Sequence, residues 1–287
     1  MRVVEDGLRA GGDGLVGEVE RCRVLVNGDR STGSVSGVDP EAWVRCAHWD
    51  RGCNWLVDAD LPTGVCFADG FVRHVNGVIT IDLAESLVLY RERQRIILKE
   101  PYRTMLGHLR HEVGHYYEML LITGGALIDQ ARSFFGDERR NYQAALADYY
   151  AGRVPAHWEH DYISHYATAH PGEDWAETFA HYLHITGTLA TIADSGLLLR
   201  ADRVHFDLDA DIDPRLHYGE GDFAALVHDW EGLSGVLNRV NHAMGKKALY
   251  PFRLNLPVVA KLGFVHHVVI AAADDNTANT ASASHGT

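Results

Sequence analysis

The strongest constraint on the fold of this chain is the pattern His-Glu-x-x-His, which runs from His111 to His115. On a helix, residues four positions apart lie on one face, so His111 and His115 can present two imidazoles to one ion. Neutral imidazole suits Zn²⁺. Glu112 lies one position out of line, where it would reach a water on the metal rather than the metal itself, as a general base does. The pattern therefore predicts a helical zinc site.

A solvent-exposed pair of histidines around a glutamate is the alternative, because the chain has 18 His among its 287 residues. Apolar residues on both sides of the motif argue against it: Met105, Leu109, Val113 and Met119. A buried glutamate between two buried histidines costs on the order of several kcal/mol unless something pairs with it. A metal ion is such a partner, so this context favours the metal site.

A third ligand has to come from another segment, because catalytic zinc usually takes three protein ligands and leaves one position for water. One zinc-protease group supplies a further Gly and His within the same segment, but Glu118 and Leu121 occupy those positions here. The best remaining segment is 170–181. Within it, Glu173 and Glu177 stand four residues apart and share one face of a predicted helix.

An ordinary acidic helix start is the alternative for this pair, since carboxylates are favoured in a first helical turn. That alternative explains Glu173 well. It explains Glu177 less well, because Ala176 and Phe179 surround it in the sequence. Three histidines in or near this segment are weaker candidates or reserves: His165, His170 and His181.

The pair resembles the Glu-x-x-x-acid arrangement of gluzincin metallopeptidases. The resemblance implies that Glu173 is the third zinc ligand and that Glu177 orients a zinc-bound histidine, although an exchange of these two roles stays open. In similar zincins a tyrosine seven residues before the ligand glutamate stabilises the oxyanion of the reaction intermediate. Tyr166 holds that position, and the alternative for it is a tyrosine that only packs its ring.

Several longer blocks resemble one bacterial family, the zinc-binding metallopeptidases with an N-terminal zinc ribbon. The matching blocks are Cys53–Val57, Gly77–Glu85, Glu100–His108, Arg110–Tyr117, Phe135–Arg139 and Glu173–His184. They occur in the family's order and cover about residues 45–270. The resemblance implies a zincin-like catalytic domain, a zinc cofactor, and a peptide or protein substrate.

The ribbon part departs from the family pattern, because this chain has no Cys-x-x-Cys pair. We expect residues 45–70 to be a degenerate ribbon remnant with free thiols, after a poorly structured segment over residues 1–44. The alternative is a second metal site, since aspartate can also bind zinc. Its four ligands would be Cys46, Cys53, Cys66 and Asp69.

We expect an α+β fold that is mostly helical, with the zincin-like domain over residues 71–270 and a disordered tail over 271–287. Alternation over Val72–Leu83 around Asn76-Gly77 predicts a β-hairpin. Helices are predicted over about residues 85–99, 101–122, 137–151, 173–186, 222–244 and 258–270. The acidic run Asp202–Asp213 is interpreted as a loop.

Composition excludes some classes of function. The formal charge of −13 disfavours binding to nucleic acid phosphates. No stretch approaches the roughly 18 apolar residues that a membrane span needs, which excludes an integral membrane protein and predicts no membrane partner. The four cysteines and a start without a secretory signal predict a reducing, cytoplasmic location. The oligomeric state has no signature in the sequence.

The sequence as a whole predicts a zinc-dependent hydrolase, a peptidase that uses a metal-activated water and Glu112 as general base. The first alternative is a zincin-fold binding or regulatory protein that holds zinc without hydrolysis. Retention of Glu112 argues against it, because zinc binding alone does not need that residue. A di-iron helical protein ranks lower, since Glu112–His115 has the required spacing but Glu177–His181 is one residue too long.

Overall fold

The computed structural model describes residues 23–26, 63–68, 73–75, 78–82, 87–97 and 100–283, with side chains for Ile79, 87–97 and 100–273. Most of the predicted N-terminal segment and ribbon remnant lies outside these residues, as do Cys46, Cys53 and Asp69. The ribbon and second-site expectations therefore stay predictions.

Two compact units divide the chain, and their boundary falls between Val113 and Gly114, inside a continuous helix. Among its described residues the first unit has four strands, which form one sheet in the order β1-β2-β4-β3. Strand β2 pairs antiparallel with β1 and parallel with β4, and β3 pairs antiparallel with β4. The strands are β1 Arg23–Val26, β2 Thr63–Ala68, β3 Arg73–Val75 and β4 Val78–Asp82.

Helices make up most of the remaining described chain. They are α1 Val88–Ile97, α2 Met105–Leu121, α3 Gly125–Phe135, α4 Tyr142–Tyr150, α5 Pro171–Asp194, α6 Phe223–Ala243 and α7 Leu256–Ala283. Short 3₁₀ turns occur at Trp158–His160, Tyr166–Thr168 and Glu220–Asp222. The last helix continues to Ala283, past the point at which we expected the tail to begin.

The predicted α+β class is wrong for the long part of the chain whose side chains the structure describes. Residues 87–97 and 100–273 are 64% helix and contain no strand. The nearest approach to a sheet there is one isolated bridge between Leu199 and Ile212. The physical reason is that the long helices bury their apolar faces on one another, so this part of the chain needs no sheet to complete its core.

Helix α5 lies at the centre of the second unit and is buried along most of its length. Trp175, Phe179, Ile185 and Leu189 are each less than 2% exposed. Complete burial of such a side chain contributes about 1.5–3 kcal/mol. Helices α3, α6 and α7 pack on α5, so the N-terminal turn of α5 is held firmly in place.

Helix α7 contains a segment that the sequence analysis overlooked when it excluded a membrane-spanning stretch. Its segment Leu256–Ala273 is long and apolar enough to cross a bilayer by length and composition. The protein buries 44% of this segment. A core helix of a soluble protein passes the same test, and the buried side chains Val258, Leu262 and Val265 give α7 a core face.

Candidate metal centre

Helix α2 carries the His-Glu-x-x-His motif. Its N-terminus is capped by Thr104, whose Oγ1 accepts a hydrogen bond of 2.9 Å from the backbone N–H of Gly107. His111 and His115 lie one helical turn apart, and Glu112 between them is buried. The predicted helix around the motif is therefore present, with its bounds shifted by a few residues.

The structure brings together three side chains that could hold a metal ion: His111, His115 and Glu173. One ligand atom from each lies within 4.8 Å of the other two. The Nε2 atom of His115 is 3.4 Å from Oε2 of Glu173. Zinc bonds of about 2.0–2.1 Å in a tetrahedron put ligand atoms roughly 3.3 Å apart, so this donor set fits zinc.

A close approach of α2 and α5 places Glu173 beside His115. A Cβ atom on Gly114 would lie 2.9 Å from Ala176 Cα and 3.0 Å from the Ala176 carbonyl oxygen. Only a residue without a side chain allows backbones this close. The indole Nε1 of Trp175 also donates a 2.9 Å hydrogen bond to the Gly114 carbonyl, which fixes the crossing of the helices.

Glu173 lies in the first turn of α5 and is 1% exposed. The hydroxyl of Tyr142 donates a 2.6 Å hydrogen bond to its Oε1 atom, while Oε2 faces His115. The helix N-terminus also favours a carboxylate at this position. Glu173 is therefore held in a defined orientation beside His115. His170 caps the same helix through Nδ1, which accepts from the Gly172 N–H.

The neighbouring Asp174 forms a buried ion pair that joins α5 to α7. Its Oδ2 atom is 2.6 Å from Nζ of Lys261, which also donates to the carbonyl of Asp161. Burial raises the pKa of Asp174 to about 7, and the charge of Lys261 opposes that rise. This ion pair fixes the part of α5 that carries Glu173.

Tyr166 lies in a 3₁₀ turn, and its hydroxyl is hydrogen-bonded to Tyr142. Burial raises the pKa of Tyr166 above its usual value, and the nearby charge of Glu173 raises it further. The hydroxyl therefore stays protonated and can donate a hydrogen bond. Tyr166 thus lies in the same network as the third candidate ligand.

The remaining candidates from the sequence lie outside the group of three. The group of three contains Glu173 and not Glu177, whose Oε2 atom accepts a 2.6 Å hydrogen bond from Ser164. His165 Nδ1 lies 2.8 Å from the Tyr149 hydroxyl, and His181 Nδ1 lies 2.8 Å from that of Tyr250.

Sequence reasoning missed Tyr142, which holds Glu173 from 31 residues away. No spacing rule connects these two positions. Asn141 was the only local signal. Its side chain accepts a hydrogen bond from the Ala144 N–H and caps α4, so the helix begins at Tyr142.

A cleft of about 480 Å³ opens beside His115. Helices α2, α3 and α5 supply apolar wall residues, among them Met119, Ile122 and Phe135. Tyr142 and His170 line its polar side. A cavity of this size with an apolar wall and a few polar groups has the character of a ligand site.

Two histidines and a remote glutamate on facing helices, with a glutamate directly after the first histidine, form a donor pattern typical of a zinc-binding protein. The chain belongs to the family described as "Putative zinc-binding metallo-peptidase", whose family model matches residues 66–268. The resemblance inferred from the sequence blocks is thereby confirmed for this part of the chain.

Curated relatives come from mycobacteria. Proteins named as uncharacterized in Mycobacterium bovis and in two strains of Mycobacterium tuberculosis are 44% identical over 203 residues, or 70% of this chain. The match spans 57% of the length of each relative. No solved structure matches the chain.

Proposed function

We propose that this protein is a zinc-dependent peptidase of the zincin type with a cytoplasmic location. The observation that carries the proposal is the convergence of His111, His115 and Glu173 at distances that suit one zinc ion. Family membership supports the zinc-binding part. The peptidase activity is the finer step, and it rests on Glu112 and on the cleft beside His115.

In this proposal His111, His115 and Glu173 hold the ion. Bound zinc supplies Lewis-acid chemistry, which makes a water acidic near neutral pH and polarises a carbonyl group. Glu112 takes a proton from the attacking water and delivers it to the leaving amine. Its burial on the motif helix keeps it away from competing solvent.

When substrate binds, the single hydroxyl proton of Tyr166 turns from the Tyr142 oxygen to the substrate oxygen that becomes negative during attack. The raised pKa of Tyr166 supports this role, because the hydroxyl remains a donor at neutral pH. Tyr142 lies between Tyr166 and Glu173, and its hydrogen bonds to both side chains hold them in position before substrate binds. A peptide or protein segment occupies the neighbouring cleft, whose apolar wall accepts side chains next to the scissile bond.

The rival function is zinc binding without hydrolysis. Glu112→Gln separates the two, because glutamine keeps the shape of the side chain but cannot act as a base. If the protein is a peptidase, Glu112→Gln should still bind zinc, and its rate of peptide cleavage should be lower by about 10²-fold or more. A wild-type protein that binds zinc but cleaves nothing in a broad peptide library supports the rival.

Zinc content of the purified chain tests the metal centre itself. We expect about one zinc per wild-type chain and a large loss in His111→Ala and in Glu173→Gln. His165→Ala is the matched control, since His165 is an exposed histidine outside the group of three. Equal zinc in wild type and His111→Ala contradicts the proposal.

A further inference from the structure

His115 lies between two carboxylates, one facing each ring nitrogen. Its Nε2 atom faces Glu173 Oε2 at 3.4 Å, and its Nδ1 atom faces Glu118 Oε2 at 3.9 Å. Glu118 is three residues further along α2, so the geometry of the helix itself brings the two side chains together. Nε2 is therefore the nitrogen that faces the proposed metal site, and Nδ1 is the nitrogen that faces Glu118.

The carboxylate of Glu118 is also held from the other side. A Cβ on Gly172 would lie 3.5 Å from Glu118 Oε2 and 3.9 Å from Oε1, so the carboxylate rests on the first turn of α5. The N-terminus of a helix stabilises an anion at that place. Glu118 therefore occupies a defined position between His115 and α5.

Histidines that bind a metal usually donate the other ring N–H to a carboxylate, which fixes the tautomer and makes the ligand nitrogen more basic. We propose that Glu118 is the positioning residue that accepts from Nδ1 of His115 and so directs Nε2 to the metal. The proposal rests on the zinc site above. It assigns to Glu118 the kind of role that the family resemblance implies for Glu177, whose Oε2 atom accepts a hydrogen bond from Ser164.

The gap of 3.9 Å is longer than a hydrogen bond. Hydrogen bonds around a catalytic centre are often long without ligand and shorten when the site is loaded. Glu118 is 27% exposed at its side chain and lines the open cleft, so a small rotation about its side-chain bonds closes the gap.

Zinc affinity, measured by competition with a coloured chelator on the full chain, tests the role. Glu118→Ala should weaken zinc binding by about 10–100-fold. Glu118→Gln should lose less, because its amide oxygen still accepts from Nδ1. Glu138→Ala is the matched control, since Glu138 lines the same cleft but pairs with Arg132, and it should bind zinc within about twofold of wild type.

The unfolding temperature of the metal-free protein separates positioning from a structural role. We expect the same value for wild type and Glu118→Ala. If metal-free Glu118→Ala unfolds at a lower temperature, and this loss of stability explains its weaker zinc binding, the proposal is overturned. Unchanged zinc affinity in Glu118→Ala would overturn it as well. A wild-type protein without zinc affinity would reject the metal centre as well, so the two failures are distinguishable.

Discussion

Gly114→Ala is the substitution that most sharply tests how the two helices build the metal centre. The new Cβ would lie 2.9 Å from Ala176 Cα, 3.0 Å from the Ala176 oxygen and 3.2 Å from Phe179 Cβ. Carbon atoms pack at about 3.5–4.0 Å, so α2 and α5 must separate by roughly 0.6–1 Å. A zinc site tolerates only about 0.2 Å in its bond lengths, so Glu173 would be carried out of reach.

The effect on stability should be much smaller than the effect on zinc binding. Overpacking lowers the unfolding free energy by about 1–3 kcal/mol. The higher helix propensity of alanine raises it by about 1 kcal/mol. We therefore expect a net loss of about 0–2 kcal/mol in unfolding free energy for the metal-free protein. Zinc affinity should fall by about 100-fold or more, because one of three protein ligands is displaced.

Gly235→Ala is the matched control for this prediction, because Gly235 is an exposed glycine of α6 with no atom near its missing Cβ. It should bind zinc normally and be as stable as wild type or slightly more stable. Chelator competition and thermal unfolding measure both quantities. Wild-type zinc affinity in Gly114→Ala would refute the argument from the close approach.

Two further substitutions test the supports of Glu173. Tyr142→Phe removes the 2.6 Å hydrogen bond to Oε1 of Glu173. A hydrogen bond to a carboxylate contributes about 1.5–3 kcal/mol, so zinc affinity should fall at least about tenfold. Tyr150→Phe, on the same helix, should leave zinc affinity unchanged. Lys261→Met removes the charge that opposes the raised pKa of Asp174 and leaves the buried carboxyl group without this partner, so it should lower the unfolding free energy at pH 7 by about 1–3 kcal/mol. Burial already raises the pKa of Asp174 to about 7, above its unfolded value, so the protonated form favours folding. The deficit of Lys261→Met should therefore shrink as the pH falls from 7 towards 4, and a deficit that grows over this range in urea titrations contradicts this reading.

The parts of the site that the sequence could predict are those set by local geometry. Four residues on a helix put His111 and His115 on one face, and the two glycines after the helix predicted its end. The start was predicted near Pro101, whereas the structure begins the helix at Met105, after the cap by Thr104. The acidic pair on α5 could be singled out because Glu177 did not fit an ordinary helix start. The choice of Glu173 over Glu177 needed the three-dimensional contact.

Long-range contacts explain what the sequence could not show. Gly114 has no local reason to be glycine, and its role depends on Ala176, which is 62 residues away. The hydrogen bond from Tyr142 to Glu173 joins residues 31 positions apart, which no spacing rule predicts. Helix α3 was missed because Gly124-Gly125 signals a helix end. Both glycines have positive φ, and the pair ends α2 and begins α3 in one turn.

The α+β expectation failed for a related reason. Alternation over Val78–Asp82 marks a strand locally, but the fold class depends on what covers the core. From residue 100 onward the described core consists mostly of helix faces, with α5 enclosed by α3, α6 and α7. A local strand signal carries no information on that enclosure.

X-ray absorption of the zinc-loaded chain tests the central claim most directly, because it reads the atoms bound to the metal. The account predicts about two imidazole nitrogens and a carboxylate oxygen at about 2.0–2.2 Å, with one imidazole lost in His111→Ala when that variant is loaded with zinc. Sulfur ligands at about 2.3 Å, or a spectrum that His111→Ala leaves unchanged, would contradict a centre built by α2 and α5.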